Sequence, residues 1–176
     1  SSASLLMYMT YNILDFSRME SGEFRQERMP FQICTLIEKI AFISEPHARL
    51  KKIIFELDIE DDLENLQVMN DERRIMQVLL NLIMNAVKYT FKGKIRLKIR
   101  HVNVSSRVGP NAIDKLYLVF SVIDTGQGIS IEKQSKLFRL FGNTDNSGDY
   151  RQSTSIGLGL AVTKNIIDNM GGCLAF

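Results

Sequence analysis

Asp124-Thr-Gly-Gln-Gly-Ile129 sets a carboxylate directly after the most apolar stretch of the chain, followed by two glycines. A carboxylate at the end of a buried strand can accept a hydrogen bond from an exocyclic amine, and glycines let backbone approach a ligand closely. The same residues also suit a plain strand-to-helix turn. Ser155-Ile-Gly-Leu-Gly-Leu160 opens the last apolar segment. Glycines at a helix start leave N–H groups pointing outward, a site for phosphate oxygens. The lysine and hydroxyl pair of a P-loop is missing, as are the preceding strand and following acid of a dinucleotide fold. The third stretch is NLIMNAVKYT, residues 81–90. At about 100° per residue, Asn81, Asn85 and Lys88 fall within roughly 60° of one another. Arg74 and Gln77 extend this strip, whereas Ile75, Leu79, Ile83 and Ala86 take the opposite side. The strip fits a solvated face. It also fits a binding wall, since Val78 and Met84 flank it and a solvent face favours Glu and Lys over two amides.

The elements that must position these residues can be read from periodicity. SLLMYMTYNILDFSRM carries a helical apolar stripe at Leu6, Met9, Ile13 and Phe16, rich enough to need a partner helix. Gly22 is a plausible stop. After Pro30, CTLIEKIAFISEPHARL predicts an amphipathic helix that Pro46 bends or restarts. Ile54 to Ile59 alternates as a strand, and a short strand is expected near Gln67 to Met69. Asn70-Asp71-Glu72 is a helix start, with the helix running to about Tyr89. KIRLKIRHVNV predicts a half-buried strand, and KLYLVFSVID, more continuously apolar, a strand deep in the sheet. A short helix is expected around Glu132 to Phe138, then a polar stretch from Gly142 to Ser155. A final helix is closed by Gly171-Gly172, and CLAF is expected to begin a strand. This order predicts an α+β fold, a two-layer α/β sandwich with a mostly antiparallel sheet covered by helices on one face.

Composition narrows the class without deciding it. The 176 residues are 45% hydrophobic and 24% charged, with a net charge of +2. That describes an ordinary globular chain with nothing global pointing to nucleic acid or an anionic membrane. Cys34 and Cys173 form neither a metal spacing nor a disulfide framework and read as reduced buried thiols. No apolar run approaches a membrane span. The chain opens in mid-pattern and stops at GGCLAF, as an excised fragment would.

Taken in order, N-x-x-x-N-A-x-K-Y, D-x-G-x-G-I, L-F-x-x-F and G-L-G-L resemble the catalytic, ATP-binding domain of sensor histidine kinases, of the gyrase-like (Bergerat-type) ATP-fold superfamily. They correspond to its N box, first glycine box, F box and second glycine box. ILDFSRMESGEF resembles the end of the second dimerisation helix and its linker. The implied organisation is a dimerisation-helix segment over 1–20, a linker over 21–29, and a catalytic domain over 30–176 that stops before its last strand.

The resemblance implies site roles. Asn85 would bind Mg²⁺ through its amide oxygen, with Asn81 facing the same phosphates and metal. Lys88 would neutralise phosphate, and Tyr89 would lie against the adenine. Asp124 would accept from the adenine amine, with Gly126, Gly128 and Ile129 shaping the base site. Gly157 and Gly159, with the N–H groups of Leu158 and Leu160, would hold phosphates. Phe138 and Phe141 would pack at the base of a mobile lid, whose only cation, Arg151, is the candidate γ-phosphate contact or an exposed loop residue. The implied activity is transfer of the γ-phosphoryl group of ATP to a histidine, for relay to a response-regulator receiver domain. A homodimer through the N-terminal helix and a cytoplasmic location are also implied, with membrane attachment only through other parts of the parent. No nucleic acid is expected.

Two departures matter. The family's acceptor histidine precedes an acid, yet His47 and His101, the two histidines here, do neither and read as structural or exposed. Ser155 and Ile156 stand where many members have Gly and Thr or Ser, which questions a side-chain contact at 156. Two rivals stay open: a pseudokinase-like dimerisation module, and a gyrase-type ATPase. Against the latter, position 81 is asparagine where gyrase-like members carry a glutamate that activates water, and asparagine is no base.

Overall fold

The computed structural model describes residues 25–63, 65–105, 114–134 and 154–176. The elements are β1 (Met29–Gln32), α1 (Ile33–Leu50), β2 (Ile54–Ile59), a 3-10 turn (Asp61–Leu63) and β3 (Gln67–Asn70). They continue with α2 (Glu72–Tyr89), β4 (Lys94–Ser105), β5 (Asp114–Asp124), α3 (Ile131–Gln134) and α4 (Thr154–Asn169). The expected dimerisation helix, over 1–20, lies outside the described residues.

A three-stranded sheet runs in the order β2-β4-β5. β4 and β5 pair antiparallel, from Ile95 opposite Asp124 to Ser105 opposite Asp114. β2 and β4 pair parallel, Ile54 with Lys94 through Ile59 with Ile99. Parallel neighbours need a long crossover, here supplied by β3 and α2. β1 and β3 form a separate antiparallel pair, Met29 with Asn70 through Gln32 with Gln67. Pairing is thus mostly antiparallel, with β2 added in parallel beside β4, within the α+β layering that the periodicity predicts.

The core lies between this sheet and the helices. β4 directs Ile95, Leu97 and Ile99 onto Ile33, Leu36, Ile37 and Ile40 of α1 and Leu79, Ile83 and Ala86 of α2. Burying a side chain of this size stabilises by about 1.5–3 kcal/mol, so β4 and α2 anchor each other firmly. A second cluster joins Val78 of α2 to Val162 and Ile166 of α4. α2 therefore has helices on two sides.

Four expectations are corrected. Pro46 does not restart a helix: α1 continues through it to Leu50. The carbonyl that Pro46 leaves without a donor belongs to Phe42, which is 83% exposed, so water can replace the lost bond. β5, the most apolar strand, is at the edge of the described sheet, and Tyr117, Val119 and Ile123 on its outer side are exposed. β4 is central although it alternates with Lys and Arg; on the outer face Lys94 and Arg96 meet Glu56 of β2, and Arg100 meets Asp58. Residues 173–176 form no strand, and Cys173 is exposed rather than buried.

That outer face carries its own electrostatics. Arg96 Nε donates to Glu56 Oε2 at 2.9 Å and Lys94 Nζ to Oε1 at 3.3 Å. The Arg96 hydrogen bond holds the Glu56 carboxyl below the ordinary range, against a smaller desolvation effect and with Lys94 assisting. Asp58 is lowered in the same way by its contact with Arg100. Further along β4, His101 Nδ1 lies 3.2 Å from Glu60 and 3.4 Å from Asp62. His47 Nδ1 meets the Ile43 carbonyl at 2.9 Å, within α1. Both histidines have local structural contacts, in keeping with their reading from sequence.

Candidate functional site

α2 starts where its sequence says it must. Asp71 Oδ1 accepts the N–H of Arg74 at 3.0 Å as a helix cap, and Oδ2 accepts the N–H of Glu27 at 3.1 Å. One buried carboxylate thus fixes both the helix start and the incoming chain. At the far end Lys51 Nζ donates to the carbonyls of Val87 at 2.7 Å and Lys88 at 3.0 Å. A cation there satisfies open carbonyls and suits the helix dipole.

Along α2 the polar strip turns inward rather than to solvent. Arg74, Gln77 and Asn81 are all buried, and Arg74 Nη1 donates to Gln77 Oε1 at 3.0 Å. α4 packs against α2 on this side, with Val162 and Ile166 meeting Val78. Asn81 Nδ2 donates to Thr163 Oγ1 at 2.7 Å. The strip then emerges: Asn85 is half-buried, Lys88 exposed and Tyr89 half-buried. The Lys88 ammonium lies 5.2 Å from the Tyr89 ring centroid.

The Asp124 loop meets the end of this helix. Alternation along β5 puts Asp124 on the same side as Leu118, Phe120 and Val122, which pack on the core, so the carboxylate stands on the helical face of the sheet. It is exposed there, and its Oδ1 accepts the N–H of Gly126 at 2.8 Å. Gln127 N–H reaches the Tyr89 carbonyl at 3.4 Å. A Cβ on Gly126 would stand 2.6 Å from that carbonyl oxygen and 2.8 Å from Asp124 Oδ1. Gly128 takes a positive φ of 69° with open space about it. Thr125 fastens the loop from below, its Oγ1 accepting the N–H of Lys94 at 3.0 Å. Ile129 is exposed, and its carbonyl accepts from Gln134 Nε2 at 2.8 Å.

The third stretch departs from expectation. α4 already begins at Thr154, so Gly157, Leu158, Gly159 and Leu160 lie within its first two turns. Only the first N–H groups of a helix lack intrahelical acceptors. The amides of Leu158 and Leu160 are therefore part of the ladder, and the phosphate cradle expected of them is not open in this conformation. Gly159 serves packing instead: a Cβ there would stand 2.6 Å from Asn81 Oδ1 and 3.1 Å from Nδ2. Phe138, Phe141 and Arg151 lie outside the described residues, as does most of the expected lid.

The described residues thus bring Asp124, Gly126 and Tyr89 to one place and Asn81 and Gly159 to another, with Asn85 between them along α2. Thr163 and Thr90 were not singled out in the sequence. Thr90 is fully buried just past α2, and its Oγ1 and the Tyr89 hydroxyl are buried without a hydrogen-bond partner among the described residues. Such groups are costly to leave unmade. A polar ligand beside Tyr89, together with backbone that only glycine allows to approach, fits this end of the site. The signal for Thr163 was its spacing, one helical turn after Gly159.

Comparison with known proteins bears on the same region. A family model described as Histidine kinase-, DNA gyrase B-, and HSP90-like ATPase matches residues 70–176. The chain is 34% identical over 172 residues, 98% of its length, to Hybrid signal transduction histidine kinase C of Dictyostelium discoideum, covering 13% of that protein. It is 33% identical over its full length to the sensory/regulatory protein RpfC of Xanthomonas campestris, covering 23%. It is 30% identical over 99% of its length to the histidine-protein kinase BarA of Escherichia coli, covering 18%. Full-length ShkA in complex with AMPPNP superposes with a TM-score of 0.70 at 27% identity, over 98% of this chain and 32% of that one. The catalytic domain of histidine kinase ThkA gives 0.54 at 27%, over 81% and 80% of the two chains. The chain spans less than a quarter of these curated relatives.

Proposed function

Because the chain belongs to the histidine kinase-, DNA gyrase B- and HSP90-like ATPase family, we propose that its site binds Mg²⁺·ATP and presents the γ-phosphoryl group to a histidine on a dimerisation helix. The catalytic ATP-binding domain of that family is what residues 70–176 represent. Phosphoryl transfer breaks the bond from the γ-phosphorus to the β–γ bridging oxygen and forms a bond to an imidazole nitrogen, releasing ADP. Such a reaction asks the protein for positioning and charge neutralisation rather than covalent help.

The observation that carries the reading is the meeting of the Asp124 loop with the end of α2. Asp124 Oδ1 is engaged by the Gly126 N–H, which orients the carboxylate and leaves Oδ2 to accept an amine such as adenine N6. Gly126 brings backbone against the Tyr89 carbonyl, and the buried Tyr89 hydroxyl supplies a polar partner for the bound base or an ordered water. Asn85 and Lys88 continue along α2 toward the triphosphate. The amide oxygens of Asn85 and Asn81 are hard donors of the kind Mg²⁺ prefers; bound there, the ion would neutralise phosphate charge. The absence of a carboxylate base at position 81 keeps water from being activated and reserves the phosphoryl group for the histidine.

Homodimerisation through residues 1–20 and relay to a receiver domain follow as further proposals, motivated by relatives named as histidine kinases. No helix among the described residues is long and apolar enough to cross a membrane. The test supplies the acceptor in trans. The chain is mixed with a histidine-bearing dimerisation hairpin and ATP labelled at the γ-phosphate, and acid-labile phosphohistidine is measured. Label on the hairpin, abolished by Asn85→Ala, is expected. Rapid hydrolysis without an acceptor would favour the gyrase-type reading, and no ATP binding would favour a dimerisation module.

A further inference from the structure

Asn81 and Thr163 are 82 residues apart in sequence and hydrogen-bonded at 2.7 Å, with Thr163 2% exposed and Asn81 9%. An asparagine amide can sit in two flips that differ only in which atom faces which neighbour. Here Nδ2 gives its hydrogen to Thr163 Oγ1. A threonine inside a helix commonly gives its own hydroxyl hydrogen to the carbonyl one turn back, which makes the oxygen an acceptor toward α2. The other half of the amide, Oδ1, is turned toward Gly159, where an added Cβ would stand only 2.6 Å away. Two residues of α4 one turn apart therefore address one amide, Thr163 through its hydroxyl and Gly159 through the lack of a side chain.

We infer that Thr163 is a positioning residue of the nucleotide site. By accepting from Nδ2 it holds the Asn81 amide in the flip that turns its hard oxygen donor, Oδ1, toward the glycine-bearing turns of α4. This rests on the ATP-site reading above and adds to it a residue that touches neither nucleotide nor metal. Without the hydroxyl nothing on α4 would select this flip, and a cation held there would meet N–H as often as oxygen. The effect is confined to the metal-dependent part of binding.

The test compares the whole chain with Thr163→Val, close in shape without the hydroxyl, and Thr163→Ser, which keeps it. ATP affinity is measured by titration calorimetry with Mg²⁺ and with EDTA. Losing one neutral hydrogen bond predicts about three- to tenfold weaker Mg²⁺·ATP binding for Thr163→Val. Affinity in EDTA should be unchanged, and Thr163→Ser should bind as the parent does. Equal affinities for parent and Thr163→Val would overturn the inference, as would an equal loss with and without Mg²⁺, the sign of a merely structural role. A parent chain that binds no ATP would overturn the site reading itself. If Thr163→Val does not fold, Thr163→Ala against Thr163→Ser carries the same comparison.

Discussion

Replacing Gly126 with alanine separates the site from the fold most cleanly. Its added Cβ would lie 2.6 Å from the Tyr89 carbonyl oxygen, about 0.8 Å inside the 3.4 Å at which ordinary contact begins, and 3.0 Å from the carbonyl carbon. Tyr89 ends α2, whose last carbonyls Lys51 holds, so the helix will not yield. The exposed loop must move instead. A displacement of that size breaks the 3.4 Å bond from Gln127 to Tyr89 and pulls the Gly126 N–H away from Asp124. Overpacking costs about 1–3 kcal/mol, and a loop free to shift belongs at the low end. About 1 kcal/mol lowers the melting temperature by roughly 2–4 °C in a chain of this size. The larger effect falls on the ligand: with Asp124 misaimed, ATP affinity should drop by at least about tenfold, or ~1.4 kcal/mol. Gly171→Ala, just past α4 and outside the site, is the control. Its positive φ costs about 1–2 kcal/mol in strain, but it meets no neighbour. Calorimetric titration and thermal melts of both variants decide the matter. If Gly126→Ala binds ATP like the parent, or no worse than Gly171→Ala, the loop does not shape the base site and the reasoning fails.

Asp124→Asn should weaken ATP at least about tenfold without changing the melting temperature appreciably, since the carboxylate is exposed and only one hydrogen bond to Gly126 changes character; equal affinity would move the base elsewhere. Gly159→Ala gains up to about 1 kcal/mol in helix propensity but overpacks against Asn81 by about 1–3 kcal/mol; a melt should show net destabilisation, and a stabilised variant would mean α4 does not seat as described. Lys51→Met should cost about 0.3–1 kcal/mol by removing the cation from the end of α2, read by urea unfolding. Glu56 and Asp58 have folded pKa values below their unfolded ones, so the folded state holds fewer protons at these sites. Their stabilisation is present above the ordinary carboxylate range and is lost as pH falls through and below it. Glu56→Gln should therefore flatten the acid limb of a stability–pH curve, and added salt should do the same.

Much of the layering was legible because it rests on local signals. Asp71 capped the helix that Asn70-Asp71-Glu72 announced, and Ile54 to Ile59 formed the strand its alternation predicted. What could not be read locally was partnership. Hydropathy ranked β5 as the buried strand, yet depth in a sheet depends on which strands flank it, and the central β4 carries cations that Glu56 and Asp58 of β2 meet. The strip from Arg74 through Asn81 and Asn85 to Lys88 looked like either a solvated face or a binding wall, and Arg74, Gln77 and Asn81 are buried rather than solvated. At Asn81 the cover includes Thr163 of α4, 82 residues away. The glycines of SIGLGL illustrate the same limit. Their types suggested open amides, whereas the helix starts a turn earlier and Gly159 is spent on close approach to Asn81.

The position of α2, clasped between α1, α4 and the sheet, has a consequence for how the molecule breathes. A segment that contributes to both hydrophobic clusters cannot open without dissolving them, so its amides exchange with solvent only when the whole unit unfolds. On the reading proposed above, α2 is the wall of the nucleotide site that both cores hold, while the Asp124 loop that meets its end is exposed.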